Sequence, residues 1–83
     1  MTFEHDLLGA IGGAANVGAL THCWARLRFA LRDPAALDLE RVRSLPGVAY
    51  AAEQYGELHV APRTGLMTSY EILTSVIAAE SPR

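Results

Sequence analysis

The sequence predicts an α+β two-layer sandwich, in which about three helices cover one face of a four-stranded antiparallel sheet made of two hairpins. Two pairs of short segments alternate apolar and polar residues, a pattern typical of strands with one buried face. Three further segments place apolar residues at helical spacing, so each has a single apolar stripe. A sheet and helices of this kind bury their apolar surfaces by stacking as two layers.

The composition indicates that residues 1–83 form a single globular domain. Half of the residues (51%) are hydrophobic and 19% are charged, which excludes a disordered segment. The net charge of -2 argues against a broad basic surface that binds nucleic acid. A single cysteine excludes an internal disulfide and fits a reducing compartment. We find neither an apolar run of ~18 residues nor a signal-peptide pattern, so we expect a cytoplasmic protein without direct membrane insertion.

The first helix is predicted to begin after Thr2, a suitable N-cap, and to end at Gly12-Gly13. Its narrow apolar face consists of Phe3, Leu7, Leu8 and Ile11. The Gly-Gly-x-x-Asn element that ends at Asn16 has two interpretations. It could cradle a phosphate, but glycines at a helix end are far more often a stop, and we favour the stop.

The clearest strand alternation lies in residues 26–32, where Leu27, Phe29 and Leu31 alternate with Arg26, Arg28, Ala30 and Arg32. Residues 19–23 predict a second short strand. If the two strands form a hairpin around Trp24-Ala25, Cys23 lies opposite Arg26 and Thr21 lies opposite Arg28. Directly opposed residues share a face of the sheet. The pairing itself requires a loop with an even number of residues.

A short helix and a second hairpin follow the turn at Asp33-Pro34. Apolar residues between 37 and 45 predict the helix, with Asp38 as its N-cap and Pro46-Gly47 as its end. Residues 48–53 and 57–61 predict the strands, joined by a turn at 54–56. The first strand is expected to place Val48, Tyr50 and Ala52 on one face, and the second to place Leu58 and Val60 inward and His59 outward.

The last helix has two possible starts. The residues from Thr68 to Glu71 have capping-box spacing, although the helix could also begin one turn earlier. Its apolar stripe consists of Tyr70, Leu73, Val76 and Ile77. We expect the chain to fray at residues 81–83.

The predicted open face of the sheet brings Cys23 together with Arg26 and Arg28, and His59 is a further candidate there. A thiol beside two cations favours its anion, which is the nucleophilic form, and the two guanidinium groups could also hold a phosphate. The alternatives are a buried small cysteine and a solvated arginine face. Trp24 could anchor a partner or fold back over the sheet. Because no other histidine or carboxylate has metal-ligand spacing with the cysteine, we predict no metal and no other cofactor.

Taken together, these motifs resemble the glucose-family enzyme IIB domain of the bacterial sugar phosphotransferase system, and are most similar to its β-glucoside, sucrose and trehalose branch. The pattern typical of that family is Gly-Gly-x-x-Asn-Ile, a short gap, and Cys-x-Thr-Arg-Leu-Arg. The resemblance extends from about residue 7 to 77, with its motifs in residues 12–33. The matching stretches are Gly12-Gly13-Ala14-Ala15-Asn16-Val17, Leu20-Thr21-His22-Cys23, Arg26-Leu27-Arg28-Phe29 and Asp33.

The resemblance implies an α+β sandwich that works as a phosphocarrier. Cys23 would take a phosphoryl group from a phosphohistidine of a IIA partner and pass it to a sugar held by a membrane IIC permease. Arg26 and Arg28 would hold the phosphoryl group, while Thr21, Trp24 and Ala25 would contact it or the partner. The protein would then lie at the inner face of the membrane through its IIC partner.

Two departures from the family pattern suggest a second hypothesis. Ala25 replaces a threonine whose hydroxyl could donate to the phosphate, and Glu57 stands where the pattern indicates a glutamine, which would bring a carboxylate near the site. The chain could therefore be a degenerate IIB-like domain that binds a regulatory partner and transfers phosphate weakly. Binding of nucleic acid through the arginine strand is a weaker idea, because the charge balance is acidic.

Overall fold

The computed structural model describes residues 2–80 and confirms the predicted architecture. Within that range, four antiparallel strands lie in the order β1-β2-β4-β3, and three α-helices pack on one face of the sheet. The pairing of β2 with β4 joins the two hairpins into one sheet. The elements are α1 (Phe3–Ile11), β1 (Val17–His22), β2 (Leu27–Leu31), α2 (Leu39–Ser44), β3 (Val48–Gln54), β4 (Glu57–Pro62) and α3 (Leu66–Glu80), with short 3₁₀ turns at Ala14–Asn16 and Pro34–Ala36.

The hydrophobic core lies between the sheet and the helices. Its largest fully buried side chains come from both layers: Phe29, Leu7, Ile11, Leu27, Leu58, Leu73, Val42 and Val60. The alternation of residues 27–31 therefore gave the correct buried face of β2. The opposite face of the sheet has no helix against it in residues 2–80 and is called the open face below.

The predicted ends of α1 are confirmed. The Thr2 hydroxyl accepts a hydrogen bond from the His5 backbone N–H at 3.3 Å. Gly12 ends the helix with φ +110°, a left-handed conformation that glycine adopts at low cost. The Asp38 carboxylate likewise caps α2 by accepting from the Arg41 N–H at 3.0 Å.

One predicted face of β3 is wrong. Val48 was expected to share a face with Tyr50 and Ala52, but the ladder between β3 and β4 shifts its register between Val48 and Tyr50. The extra residue of this irregularity reverses the parity, so Val48 and Ala51 are buried while Tyr50 lies on the open face.

The last helix begins one turn before the predicted capping box. It starts at Leu66, directly after Gly65, whose φ is +66°. Ser69 therefore lies inside the helix, and its hydroxyl donates to the buried Glu4 carboxylate at 2.9 Å. The predicted fraying at 81–83 lies outside the described residues. Across the described part of the chain, no helix is both long enough and apolar enough to span a membrane.

Candidate functional site

The tip of the first hairpin has the geometry that the sequence predicts. Thr21 pairs with Arg28 in the ladder between β1 and β2. Beyond the last ladder pair, the Cys23 N–H donates to the Arg26 carbonyl at 2.9 Å. The four-residue link 23–26 therefore keeps the even parity of the loop, and places Cys23 with Thr21 and Arg28 on the open face.

The Cys23 thiol lies at this tip and is partly exposed. Its pKa is lowered, chiefly by a hydrogen bond from the Ala25 backbone, although partial desolvation opposes the shift. The Arg26 backbone and the Arg28 guanidinium lower it further. In the neutral state, the thiol donates to the Arg26 carbonyl at 3.8 Å. The loop thus favours the thiolate, which is the reactive form of cysteine.

The two arginines of the site occupy different positions. The Arg28 side chain lies on the same face as Cys23 and contributes to the lowered pKa of its thiol. The Arg26 guanidinium instead lies over the Tyr50 ring, 4.6 Å from the ring centroid, and its Nη1 donates to Gln54 Oε1 at 3.5 Å. Of the two cations predicted to lie beside the thiol, Arg28 is therefore in place, whereas the Arg26 guanidinium is directed to β3.

The loop next to the thiol projects into solvent. Trp24 is 94% exposed, so of the two alternatives for this ring the structure shows the projecting one. Thr21 and Ala25 are exposed beside it. His22 has the opposite phase to the thiol, and its ring packs edge-on against Tyr70 of α3 at 4.6 Å. A large exposed aromatic beside a reactive thiol is a suitable contact for a partner protein.

Sequence reasoning underestimated His59. It pairs with Arg28 across β2 and β4 and is only 5% exposed, so it is a buried member of the open face. Within the described residues, neither of its ring nitrogens has a hydrogen-bond partner, and the same holds for Arg28 Nε. The phase of β4 predicted its face, but its burial depends on the long side chains around it.

Glu57 does not lie at the thiol, contrary to expectation. It pairs with Ala30, which is four residues along the chain from Arg26, the residue opposite Cys23. At the spacing of residues in a strand, this separation is roughly 13 Å. Its carboxylate lies 3.4 Å from His59 Nε2. Because β4 begins at the far end of the sheet from the first hairpin tip, its first residue is remote from the site.

The Gly-Gly-x-x-Asn element is structural, as favoured above. The buried Asn16 side chain donates to the Ile11 carbonyl at 2.8 Å and to the Asp33 carbonyl at 3.0 Å, and accepts from the Asp33 N–H at 2.7 Å. It thus ties the end of α1 to the end of β2. The thiol lies beside the other end of β2, so this element does not cradle an anion there.

Comparison with known proteins relates the whole arrangement to one family. A family model described as phosphotransferase system, EIIB matches residues 5–38. The chain is 27% identical over 75 residues to the arbutin-, cellobiose- and salicin-specific EIIBC component of Escherichia coli K12, an alignment that covers 90% of this chain and 16% of that protein. It is 39% identical over 55 residues to the trehalose-specific EIIBC component of Bacillus subtilis 168, covering 66% and 12%.

The fold has a match among solved structures as well. One domain of the phosphotransferase-system IIabc component from Clostridium difficile superposes with a TM-score of 0.76 at 20% identity, over 96% of this chain and 83% of that one. At this identity the match bears on the fold alone. The chain spans about one sixth of the length of the first of these curated relatives, and less of the second.

Proposed function

Because the chain belongs to the EIIB family of the sugar phosphotransferase system, we propose that it is a phosphocarrier that uses Cys23. It accepts a phosphoryl group from a phosphohistidine of a IIA partner and donates it to a sugar bound by a membrane IIC permease. One observation supports this most directly: the thiol is partly exposed, and its pKa is lowered by the Ala25 backbone and by Arg28.

In the first step, the Cys23 thiolate attacks the phosphorus of the phosphohistidine in line. The S–P bond forms as the P–N bond breaks, and the imidazole leaves with the bonding electron pair. Arg28 and the Ala25 N–H already favour negative charge on the sulfur, so they are well placed to stabilise charge on the equatorial oxygens. Arg26 is the second cation of the reaction.

In the second step, a sugar hydroxyl oxygen attacks the phosphorus of the phosphocysteine, and its proton passes to a base of the IIC partner or to water. The O–P bond forms as the S–P bond breaks, and the electron pair returns to the sulfur. The groups that lower the Cys23 pKa make the thiolate a better leaving group, so the same site serves both transfers.

The proposed partners follow from the names of the relatives, which are EIIBC and EIIBCA components. In this chain the IIA and IIC functions would come from outside residues 1–83, and the domain would work at the inner face of the membrane through IIC. Trp24 and the exposed loop around it are the proposed contact surface for these partners.

Incubation with a phosphorylated IIA protein tests the proposal. Mass spectrometry should find one phosphate on Cys23, and none in Cys23→Ser. Thr74→Ala, an exposed change in α3, serves as a control that should label like the parent. No labelling of the parent by a IIA protein that phosphorylates another EIIB domain would overturn the proposal.

A second candidate is a binding module that does not pass phosphate on. The methyl side chain of Ala25 and the protruding Trp24 favour it, because the loop keeps a contact surface but has no side-chain hydroxyl at that position. Binding of a IIA partner that persists in Cys23→Ala, with no transfer by the parent, would select this candidate.

A further inference from the structure

We propose that Tyr50 and Gln54 form a holding site for Arg26, which leaves it when a phosphoryl group or phosphate ion is present at Cys23. This inference rests on the proposed function of Cys23 and deepens it. It assigns a role to two residues of β3 that do not touch the thiol. They are positioning residues, because they act through Arg26.

The contacts of the holding site come from three groups. The Arg26 guanidinium carbon lies 4.6 Å from the Tyr50 ring centroid, which is a cation–π distance. Its Nη1 donates to Gln54 Oε1 at 3.5 Å. The Gln54 amide nitrogen in turn donates to the Tyr50 hydroxyl at 3.0 Å, which directs the amide oxygen towards the guanidinium.

The sheet explains how Arg26 reaches across to β3. Tyr50 pairs with Ala61, and the register that pairs Leu27 with Val60 brings Arg26 next to Ala61 when it is extended by one residue. The intervening side chain is thus only a methyl group, which allows the long arginine side chain to cross β4.

The backbone of Arg26 nevertheless remains at the thiol. Its carbonyl accepts from the Cys23 N–H at 2.9 Å, so the flexible side chain starts beside the sulfur and points away from it. The guanidinium that lowers the Cys23 pKa is that of Arg28. One cation is therefore in place before the reaction, and the second is held nearby.

The two positions differ in what they offer to a guanidinium. On β3 it has a partly exposed aromatic face and one long hydrogen bond to an uncharged amide oxygen. A phosphate dianion offers charge-assisted, bidentate hydrogen bonds, which are considerably stronger. Arrival of the dianion therefore shifts Arg26 from Tyr50 to the site, because the ligand interacts differently with the two states. Because Arg26 gives up its contacts with Tyr50 and Gln54 to reach the anion, the free energy of those contacts is subtracted from the free energy of anion binding.

The test uses inorganic phosphate as the probe and a matched pair of variants, Tyr50→Leu and Tyr50→Phe. NMR resonances of the Arg26 guanidinium should show a ring-current shift in the free parent protein, and should lose it as phosphate saturates the site. Tyr50→Leu should lack the shift without phosphate and should bind phosphate about two- to fivefold more tightly. Tyr50→Phe keeps the ring and should stay closer to the parent. Gln54→Met should also tighten binding, and it provides a second variant should Tyr50→Leu fold poorly.

The outcomes separate this inference from the proposed function. An Arg26 resonance that keeps its ring-current shift in saturating phosphate, or an unchanged or weaker phosphate affinity in Tyr50→Leu, would overturn the holding site even if Cys23 is phosphorylated normally. Failure of Cys23 to accept phosphate from a IIA protein, with Arg26 still moving to inorganic phosphate, would overturn the proposed function alone.

Discussion

Arg28 lies on the same face of the first hairpin as Cys23, and its guanidinium helps to lower the pKa of that thiol. The ladder between β1 and β2 brings them together, because Thr21 pairs with Arg28 and the chain reaches Cys23 two residues later on the same face. The hairpin register thus places a fixed positive charge beside the nucleophile.

Arg28→Met is expected to make the thiol less reactive. Removing the guanidinium takes away a donor group and a positive charge that favour the anion, so the Cys23 pKa should rise toward its ordinary value. At pH 7 a smaller fraction would be thiolate, and alkylation by iodoacetamide should slow by about three- to tenfold. The pH profile of that rate should move to higher pH. Arg32→Met makes the same change at the far end of β2, and an equal effect there would refute the assignment.

Asn16→Ala should separate stability from the site. The substitution removes three hydrogen bonds, and leaves the buried Ile11 carbonyl and the part-buried backbone groups of Asp33 without these partners. We expect a loss of about 2–4 kcal/mol in the free energy of unfolding, measured by urea denaturation. Alkylation of Cys23 in the folded variant should keep the parent rate, because Asn16 lies at the other end of β2. A slowed rate would indicate that the Gly-Gly-x-x-Asn element takes part in the site after all.

The part of the site that sequence could predict is the part set by local patterns. Strict alternation from Arg26 to Leu31, combined with an even loop, was enough to place Cys23, Thr21 and Arg28 on one face. The caps of α1 were predictable for the same reason, since Thr2 and Gly12 act on neighbouring backbone groups.

The missed features depend on residues that are distant in sequence. Nothing in the alternation of residues 48–53 encodes an extra residue, so Val48 was wrongly placed on the same face as Tyr50. The position of Arg26 could not be derived either, because it requires Tyr50 and Gln54 from β3 and a small residue on β4. Burial of His59 is set in the same way by neighbouring strands.

His59→Leu is expected to stabilise the protein. Both ring nitrogens of His59 are buried without a hydrogen-bond partner in the described part of the chain, and an apolar side chain of similar size avoids that desolvation cost. The free energy of unfolding should rise by about 1–2 kcal/mol. His22→Leu, at an exposed histidine of β1, should not raise it, because that substitution removes the edge-on ring contact with Tyr70. A destabilised His59→Leu protein would mean that the 3.4 Å contact with Glu57 outweighs the desolvation cost.

Ala25→Thr is expected to speed up phosphoryl transfer. The Ala25 backbone is the largest cause of the lowered Cys23 pKa, so this residue is a neighbour of the sulfur, and we expect a hydroxyl on it to reach a phosphoryl group bound there. One additional neutral hydrogen bond to the phosphoryl group in the transition state is worth about 1 kcal/mol, or roughly a fivefold to tenfold gain in rate. Single-turnover transfer from a phosphorylated IIA protein measures it.

Ala25→Val is the matched control for that experiment, because valine has the shape of threonine without its hydroxyl. Its transfer rate should not exceed that of the parent, whereas the threonine variant should transfer faster. Equal rates in the two variants would show that shape, and not a donated hydrogen bond, governs this position. If neither the parent nor Ala25→Thr transfers phosphate while both bind the IIA protein, the missing hydroxyl is not what limits the chain, and the binding-module hypothesis becomes the better account of a loop whose largest side chain, Trp24, is 94% exposed.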